Sequence, residues 1–302
     1  MIYLILATIC SAMIALIFKY TENSHSDRYV ITSSNYFIAS VTSLFLILGK
    51  KLFAGIKMDT SFVIEMKLAL TSDYILSPYS SIVWGALVGF IAGAFCFLSF
   101  IYYQRSVNEN GVSITGTVGK LGILIPMIFS IIFWKEYPSY IQWIGITLSL
   151  FSILIVNLSR ESIKTFDFKL ILILLFAFGG LTEFSSKIYQ KYALNDYKDI
   201  YLFVRFFVAF IISFAYMFKM KSRITKKDIY IGFIVGIPNL LTSYFIILAL
   251  DTLKTSVVFP LFSAGSIVLI NIGGVLIFKE TISRKNKVAT LLIIFALVLM
   301  NI

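Results

Sequence analysis

The feature that most constrains this chain is a series of long apolar segments that recurs along its whole length. A helix of about 20 apolar residues crosses the hydrocarbon core of a bilayer. We predict ten such membrane-spanning helices, at residues 2–19, 29–49, 81–103, 111–134, 140–158, 168–190, 200–219, 228–250, 256–278 and 286–302. Lipid offers the backbone no hydrogen-bond partners, and these segments lack the alternating pattern of barrel strands. The predicted fold class is therefore an all-α integral membrane protein.

The composition excludes the main soluble classes. Of the 302 residues, 59% are hydrophobic and 14% are charged, whereas soluble domains typically have about 45–50% and about 25%. A water-soluble core cannot bury so much apolar surface, so a soluble enzyme and a disordered chain are both poor interpretations. The excess of Lys and Arg lies mostly in short gaps between apolar segments, which indicates membrane orientation rather than a nucleic-acid partner.

These features predict location and partners. We expect an integral protein of a bacterial inner or cell membrane that contacts the lipid bilayer and a small-molecule substrate, with no nucleic acid, as a monomer or homodimer. The start MIYLILATIC has no basic region before its apolar run, so we expect a retained helix rather than a signal peptide. The long gap at 50–80 predicts a short amphipathic surface helix with Lys57, Glu65 and Lys67 on its wet side.

An internal repeat divides the chain. Residues 133–136 read FWKE and residues 277–280 read IFKE, while YVITSSNYFIASV at 29–41 aligns with DIYLFVRFFVAFI at 199–211. Each half then holds five helices, the first at 1–160 and the second at 161–302. An odd number of helices per repeat gives the halves opposite orientations in the membrane, which is typical of secondary transporters.

In these features the chain resembles the EamA-like branch of the drug/metabolite transporter superfamily. The similarity covers nearly the whole chain, and its best stretch is IILALDTLKTSVVFPLFSAGSIVLINIGGVLIFKE at 246–280. The resemblance implies ten helices in two inverted five-helix repeats, around a cavity walled by helices 1, 3, 4, 6, 8 and 9. It also implies cytoplasmic termini. Lys and Arg are more numerous in the loops after odd-numbered helices, however, and this distribution favours the opposite orientation.

Four ionisable residues lie inside predicted helices, where a charge costs roughly 2.5–3.5 kcal/mol on insertion scales. Lys120, beside glycines in GTVGKLG, is predicted as the principal substrate-binding group; the alternative is a structural lysine whose stem reaches toward water. Glu183 and Lys187 have the i, i+4 spacing of a helical ion pair. Glu183 is alternatively a cavity carboxylate that binds an amine or exchanges a proton. Arg205 is a gating or structural ion-pair residue, and Asn35 occupies the corresponding place in the first half.

Further substrate-binding candidates are the aromatic or hydroxyl side chains of Tyr36, Trp84, Tyr244 and Ser263. Ordinary helix packing and interhelical hydrogen bonds explain such residues equally well. With one histidine, His25, the chain has no material for a His-based triad or metal cluster. We therefore expect no enzyme activity, no cofactor and no metal.

The functional prediction is a secondary transporter that moves a small anionic or zwitterionic metabolite, such as an amino acid or a related compound, by alternating access. Three alternatives remain open. They are a carrier of sugar nucleotides or phosphorylated metabolites, a carrier of lipid-linked substrates, and a non-transporting membrane scaffold or subunit.

Overall fold

The computed structural model describes residues 1–21, 26–53, 61–72, 74–157, 170–279 and 284–300. Every regular element in these residues is a helix, so the all-α prediction is confirmed for them. The helices are α1 (Ile2–Thr21), α2 (Arg28–Gly49), α3 (Phe62–Thr71), α4 (Pro78–Leu121), α5 (Leu124–Trp134), α6 (Tyr140–Asn157), α7 (Leu170–Tyr192), α8 (Lys198–Lys219), α9 (Lys226–Thr252), α10 (Thr255–Phe278) and α11 (Arg284–Met300), with a single 3₁₀ turn at Asn195–Tyr197.

Eight helical stretches in the described part of the chain are long and apolar enough to cross a membrane. Two more apolar helices, Tyr140–Ile155 and Lys287–Met300, are shorter. The chain is thus an integral membrane protein by the length and composition of its helices. The full count of ten spans and the inverted orientation of the two halves stay predictions, and His25 and Lys57 lie outside the described residues.

The long helix α4 holds two predicted spans because its chain reverses direction. The hydroxyl groups of Ser106 and Thr115, nine positions apart, are 2.7 Å from each other, whereas a straight helix would separate these residues by about 13 Å. A Cβ atom on Gly119 would contact the ring of Tyr103. The second leg therefore folds back on the first. The loop expected after residue 103 is helical, since residues 104–110 contain neither Gly nor Pro.

The chain forms two compact units, each with segments from both halves of the sequence. The first unit comprises Met1–Leu16, Leu98–Phe184 and Thr252–Ile302. Its core joins α6, α10 and α11 through buried aliphatic side chains, including Ile153, Ala264 and Ile293. The loop after α5 is fixed to α10, because the Glu136 carboxylate accepts a hydrogen bond from the Thr255 backbone N–H at 2.6 Å. A carboxylate is favourable at this positive end of a helix.

The second unit comprises Ile17–Phe97 and Ser185–Asp251. Its core joins α2, α4, α7, α8 and α9 around large side chains such as Tyr189, Tyr201 and Phe206. The glycines of α4 let that helix approach α8 closely, since a Cβ on Gly89 would lie 2.8 Å from the Tyr201 carbonyl oxygen. Gly85, Gly89 and Gly93 are spaced four residues apart, and small residues at this spacing let membrane helices approach closely.

A short helix, α3, forms in the predicted gap, but the predicted amphipathic pattern is wrong, because Val63, Ile64 and Leu70 are exposed. Lys67 is exposed, but Glu65 is buried, with 1% of its surface accessible. Its carboxylate accepts a hydrogen bond from the Ser77 backbone N–H at 2.8 Å. A buried carboxylate needs such donors, and sequence periodicity carried no sign of a partner twelve residues away.

Four lysines mark corresponding helix ends in the two predicted repeats. Lys51 follows α2 and Lys221 follows α8, with φ of 51° and 52°; Lys135 follows α5 and Lys279 follows α10, with φ of 55° and 53°. A left-handed residue directly after a helix is a usual C-terminal stop. The two pairs fall on the sequence alignments that suggested the repeats. They support the division at 1–160 and 161–302, which stays a prediction.

Candidate functional site

A break in a membrane span defines the candidate site in the first unit. The span Ile114–Trp134 was expected to be one continuous helix, but α4 ends at Leu121 and α5 begins at Leu124. Pro126 explains the position, because proline removes the helical hydrogen bond to the carbonyl four residues earlier and its ring clashes with that carbonyl. That carbonyl belongs to Gly122, and it accepts a hydrogen bond from the Ile125 N–H at 3.0 Å instead.

The break places Lys120 at a helix end rather than in mid-helix. Lys120 lies in the last turn of α4 and is half-buried. The final carbonyl groups of a helix have no partner within the helix and carry partial negative charge. An ammonium group is favoured there.

Glu183 of α7 is the acidic residue that acts electrostatically on this lysine. Its carboxylate is half-buried. The backbones approach closely at two glycines, because a Cβ on Gly180 would lie 2.5 Å from the Gly122 carbonyl oxygen. The structure thus places two of the four ionisable residues that the sequence singled out close to each other. We call them the Lys120–Glu183 pair.

Aromatic rings surround the segments that carry this pair. Phe184 lies 5.1 Å from Phe129 and 5.8 Å from Trp134, measured between ring centroids. Rings of low polarity exclude water, and an electrostatic interaction between charges is stronger in such surroundings. Ser263 of α10 belongs to the same unit and is buried, and its hydroxyl has no hydrogen-bond partner among the described residues.

Arg205 lies in the second unit, in a buried network of hydroxyl groups. Its guanidinium donates to Ser186 Oγ at 3.2 Å and to Tyr201 OH at 3.5 Å. Ser185 Oγ is 2.8 Å from the same Tyr201 hydroxyl. The network joins α7 to α8. These contacts favour the structural interpretation of Arg205.

The candidates Asn35 and Tyr36 are also held by side chains of the second unit. Asn35 Oδ1 accepts a hydrogen bond from Asn239 at 3.1 Å, and the Tyr36 hydroxyl accepts one from the Cys96 thiol at 3.3 Å. Tyr36 packs against Phe206 with ring centroids 6.2 Å apart. Both candidates therefore link α2 to its neighbours in this unit.

Trp84 contacts the last turns of α7, and Lys187 lies within them. The Trp84 indole donates to the Ile188 carbonyl at 3.3 Å. Lys187 is buried, and its ammonium donates to Gln190 Oε1 at 3.0 Å. The predicted pair of Glu183 with Lys187 stays a prediction.

Tyr244 lies among charged residues that sequence reasoning missed. The ammonium groups of Lys198 and Lys50 lie 4.6 and 5.5 Å from the centre of its ring, within the range of cation–π attraction. Lys50 also forms a salt bridge of 2.5 Å with Asp199, whose side chain has no accessible surface. Asp199 lies just before a predicted helix, and this position could have marked it as a residue of interest. Its partner lies 149 residues away, and nothing local in the sequence pointed to it.

Metal ligation has no clear place in the described residues, which contain no group of three or more His, Cys, Asp or Glu side chains suited to hold an ion. The candidate residues described above provide charged groups, hydroxyl groups and aromatic rings.

Comparisons with known proteins agree with a transporter-like membrane fold. Residues 197–294 match the family model of the Small Multidrug Resistance protein, which is part of the drug/metabolite transporter-like superfamily. The family matched is thus not the EamA-like branch named from the sequence. An uncharacterized protein of Haemophilus influenzae is 25% identical over 288 residues, which cover 94% of this chain and 91% of that protein.

A solved crystal structure shows the same fold. It superposes with a TM-score of 0.69 at 14% sequence identity and covers 99% of this chain and 94% of the other. At this identity the similarity concerns the fold alone. The membrane-helical fold and the family match suggest a membrane transporter rather than an enzyme.

Proposed function

We propose that this protein is a secondary transporter that moves a small anionic or zwitterionic metabolite, such as an amino acid, by alternating access. The observation that carries the proposal is the broken span at Gly122–Ile123, which leaves Lys120 at a helix end beside Glu183. Transporters commonly form their substrate sites at interrupted membrane helices, where free backbone groups and a few charges meet the solute. The partial match to a transporter family supports the same conclusion.

Within this proposal the two charged residues have separate roles. Lys120 binds the acidic group of the substrate, while Glu183 balances the charge of the lysine when the site is empty. An ammonium group on a zwitterionic substrate would then take the place of Lys120 beside Glu183. Rocking of the two repeats around this site would alternate its exposure, with both termini in the cytoplasm of a bacterial cell.

Transport by purified protein in liposomes tests the proposal. Counterflow is measured with radiolabelled amino acids, with sugar phosphates and with a sugar nucleotide, for the native protein, Lys120→Ala and Lys219→Ala. Lys219 is exposed at the end of α8 and serves as the matched control. We expect amino-acid flux that Lys120→Ala abolishes and Lys219→Ala retains. Flux of phosphorylated solutes instead would support the carrier of phosphorylated metabolites.

A folded protein without flux of any solute would overturn the transporter and leave the scaffold interpretation. Circular dichroism and size-exclusion chromatography in detergent establish that each variant is folded. Full activity of Lys120→Ala would show that the lysine is structural.

The family match favours a second candidate function, a role in resistance to several drugs. The half-buried carboxylate of Glu183 is suited to bind a cationic compound. Growth of a drug-sensitive bacterium that expresses the protein, in the presence of ethidium, tests it. Resistance that is lost in Glu183→Gln but kept in Lys120→Ala would favour drug export over metabolite transport.

A further inference from the structure

A strongly basic segment joins α8 to α9 in the second unit. Residues 221–227 read KSRITKK, and the four basic side chains among them are all exposed. They are Lys221, Arg223, Lys226 and Lys227. None of the residues proposed above to bind the transported substrate lies in it. We call residues 221–227 the basic segment.

Hydrogen bonds fix the backbone of the basic segment at both ends. The Lys221 N–H donates to the Phe218 carbonyl at 3.0 Å, which closes the end of α8. At the other end, Thr225 Oγ accepts a hydrogen bond from the Asp228 N–H at 3.1 Å, the usual contact of a residue that caps a helix. The basic side chains therefore project from a short ordered turn, so binding a partner costs little backbone ordering.

The acidic residue next to the basic segment is directed into the protein. Asp228 is buried, with 2% of its surface accessible, and its carboxylate accepts a hydrogen bond from the Thr225 hydroxyl at 2.7 Å. It serves the start of α9. The four exposed positive charges thus have no exposed carboxylate within their own segment or directly beside it.

The neighbouring helix α2 adds positive charge at the same end of the unit. Its start lies beside the end of α8, because the rings of Tyr29 and Tyr216 are 5.6 Å apart. There Asp27 accepts a hydrogen bond from the Tyr29 N–H at 2.9 Å, and Arg28 is exposed. The other acidic residues described in this unit lie toward the opposite ends of α8 and α9; they are Glu65, Asp196, Asp199 and Asp251.

Helix length places the basic segment at the level of the lipid headgroups. The 27 residues of α9 extend over about 40 Å, whereas the hydrocarbon core is about 30 Å thick. The charged residues that begin α9 therefore lie beyond the hydrocarbon. Tyr230 is exposed just after them, as aromatic residues at a membrane interface are. Met220 and Ile224 are exposed as well, and apolar side chains beside basic ones favour the boundary between headgroups and acyl chains.

We propose that the basic segment binds anionic phospholipid headgroups, of which phosphatidylglycerol is the simplest example. The four basic side chains attract its phosphate, which carries a net negative charge, while Met220 and Ile224 contact the acyl chains. Clusters of about four or more basic residues beside a membrane helix attract anionic lipids in this way. Phosphatidylcholine has the same phosphate next to a positive amine, so it should bind more weakly. The basic residues of this loop then serve lipid binding, whichever way the chain is oriented in the membrane.

Native mass spectrometry of the full-length protein tests the proposal. The protein is released from nanodiscs that contain equal amounts of phosphatidylglycerol and phosphatidylcholine, and the retained lipids are counted. We expect the native protein to retain phosphatidylglycerol at least about tenfold more than phosphatidylcholine, since each basic residue near the surface contributes about fivefold. One variant combines Lys221→Gln, Arg223→Gln, Lys226→Gln and Lys227→Gln, and it should lose this preference.

A charge-matched variant separates a local site from the total charge of the protein. It combines changes at four exposed lysines outside the basic segment, namely Lys51→Gln, Lys67→Gln, Lys279→Gln and Lys287→Gln. This variant should keep the preference for phosphatidylglycerol. Arg223→Gln alone should lower the preference by about fivefold, and Arg223→Lys should keep it. Salt at about 1 M during lipid exchange should weaken the preference of the native protein, because it shortens the Debye length to about 3 Å.

Several outcomes would overturn the proposal. They are equal retention of the two lipids by the native protein, a preference that survives removal of the four charges of the basic segment, and equal losses in the two charge-matched variants. Equal retention of both lipids together with binding of poly-L-glutamate through the basic segment would indicate an acidic polypeptide as the partner instead. Lipid binding does not require transport. Lys120→Ala should therefore keep the lipid preference, and a failure of the transport assay would leave this result intact.

Discussion

The salt bridge between Lys50 and Asp199 allows a quantitative test of the second unit, because its two partners differ in burial. The Asp199 side chain has no accessible surface, whereas 39% of the Lys50 side chain is exposed. Removal of the lysine charge leaves a carboxylate buried without its counter-ion. Removal of the aspartate charge leaves an ammonium group that can turn into water. We therefore expect Lys50→Met to be more destabilising than Asp199→Asn.

The expected losses in the free energy of unfolding are based on typical values for ion pairs. Breaking a fully buried pair costs about 3–5 kcal/mol, but the exposure of Lys50 screens this one, so we expect about 2–3 kcal/mol for Lys50→Met. Asp199→Asn should cost about 1 kcal/mol, close to the value for exposed pairs. The double variant should cost less than the sum of the single variants, since it buries no unpaired charge. In the melting temperature these losses correspond to about 4–12 °C and about 2–4 °C.

The pH dependence provides an independent check with a defined sign. Burial alone lowers the pKa of Lys50, but the hydrogen bond and negative charge of Asp199 outweigh it, so the pKa of Lys50 is raised above its ordinary value. A raised lysine pKa means that the salt bridge stabilises the folded state fully below the unfolded pKa of about 10.4. That stabilisation disappears as the pH rises through the higher folded pKa. The difference between the native protein and Lys50→Met should therefore be constant between pH 6 and 9 and shrink above pH 10.

Thermal unfolding in detergent, followed by tryptophan fluorescence at one scan rate, measures these effects. Lys51→Met is the matched control, because Lys51 is the exposed neighbour of Lys50, and its melting temperature should not change. Equal losses in the two single variants, or a larger loss in Asp199→Asn, would refute the reasoning from burial.

Three further predictions concern the site, the packing and the orientation. Glu183→Gln should make counterflow independent of pH between 6 and 8 if Glu183 exchanges a proton during transport; an unchanged pH profile would leave only its role as a charge partner. Gly180→Ala should lower the melting temperature by several degrees, because its Cβ would lie 2.5 Å from the Gly122 carbonyl oxygen, whereas Gly49→Ala, with no atom within 4 Å, should not lower it. Arg223→Cys, in a variant that lacks Cys10 and Cys96, is treated with a thiol reagent that does not cross membranes, in intact and in permeabilised cells. If the termini are cytoplasmic, the cysteine should react in intact cells. Reaction only after permeabilisation would indicate the opposite orientation.

The positions of most helices could be predicted from the sequence, because the bilayer imposes a simple requirement of length and apolarity. The observed ends of α2, α8 and α10 lie within two residues of the predicted ones. The prediction was weaker where backbone geometry rather than hydropathy decides. The hydropathy of residues 111–134 predicts an uninterrupted helix, whereas the structure has a turn at Gly122 and Ile123. Pro126 could have predicted this turn, because a proline displaces the carbonyl four residues before it, which is that of Gly122.

The two charged residues of the candidate site could be named from the sequence, but their contacts could not. A charge inside an apolar span is expensive, and this cost alone identified Lys120 and Glu183. Which element Glu183 would face could not be read from the sequence, since the spacing to Lys187 suggested a partner one turn away. Contacts such as that of Lys50 with Asp199 depend on which helices pack together. Such packing joins residues that are far apart in the sequence, and local periodicity does not encode it.

The break at Gly122–Ile123 has consequences for the charge of Lys120. A continuous span would place the ammonium group of Lys120 against backbone groups that are already satisfied, at full desolvation cost. The break after Leu121 places Lys120 in the last turn of α4, where the partial negative charge of a helix end favours an ammonium group, and Gly122 allows α7 to approach closely. Lys120 also interacts electrostatically with Glu183. A group held in this way can exchange its partner for a solute at little cost, whereas the buried carboxylate of Asp199, which depends on Lys50, cannot. The Lys50–Asp199 pair is a fixed link between α2 and α8, whereas the Lys120–Glu183 pair is the one that we propose for substrate binding.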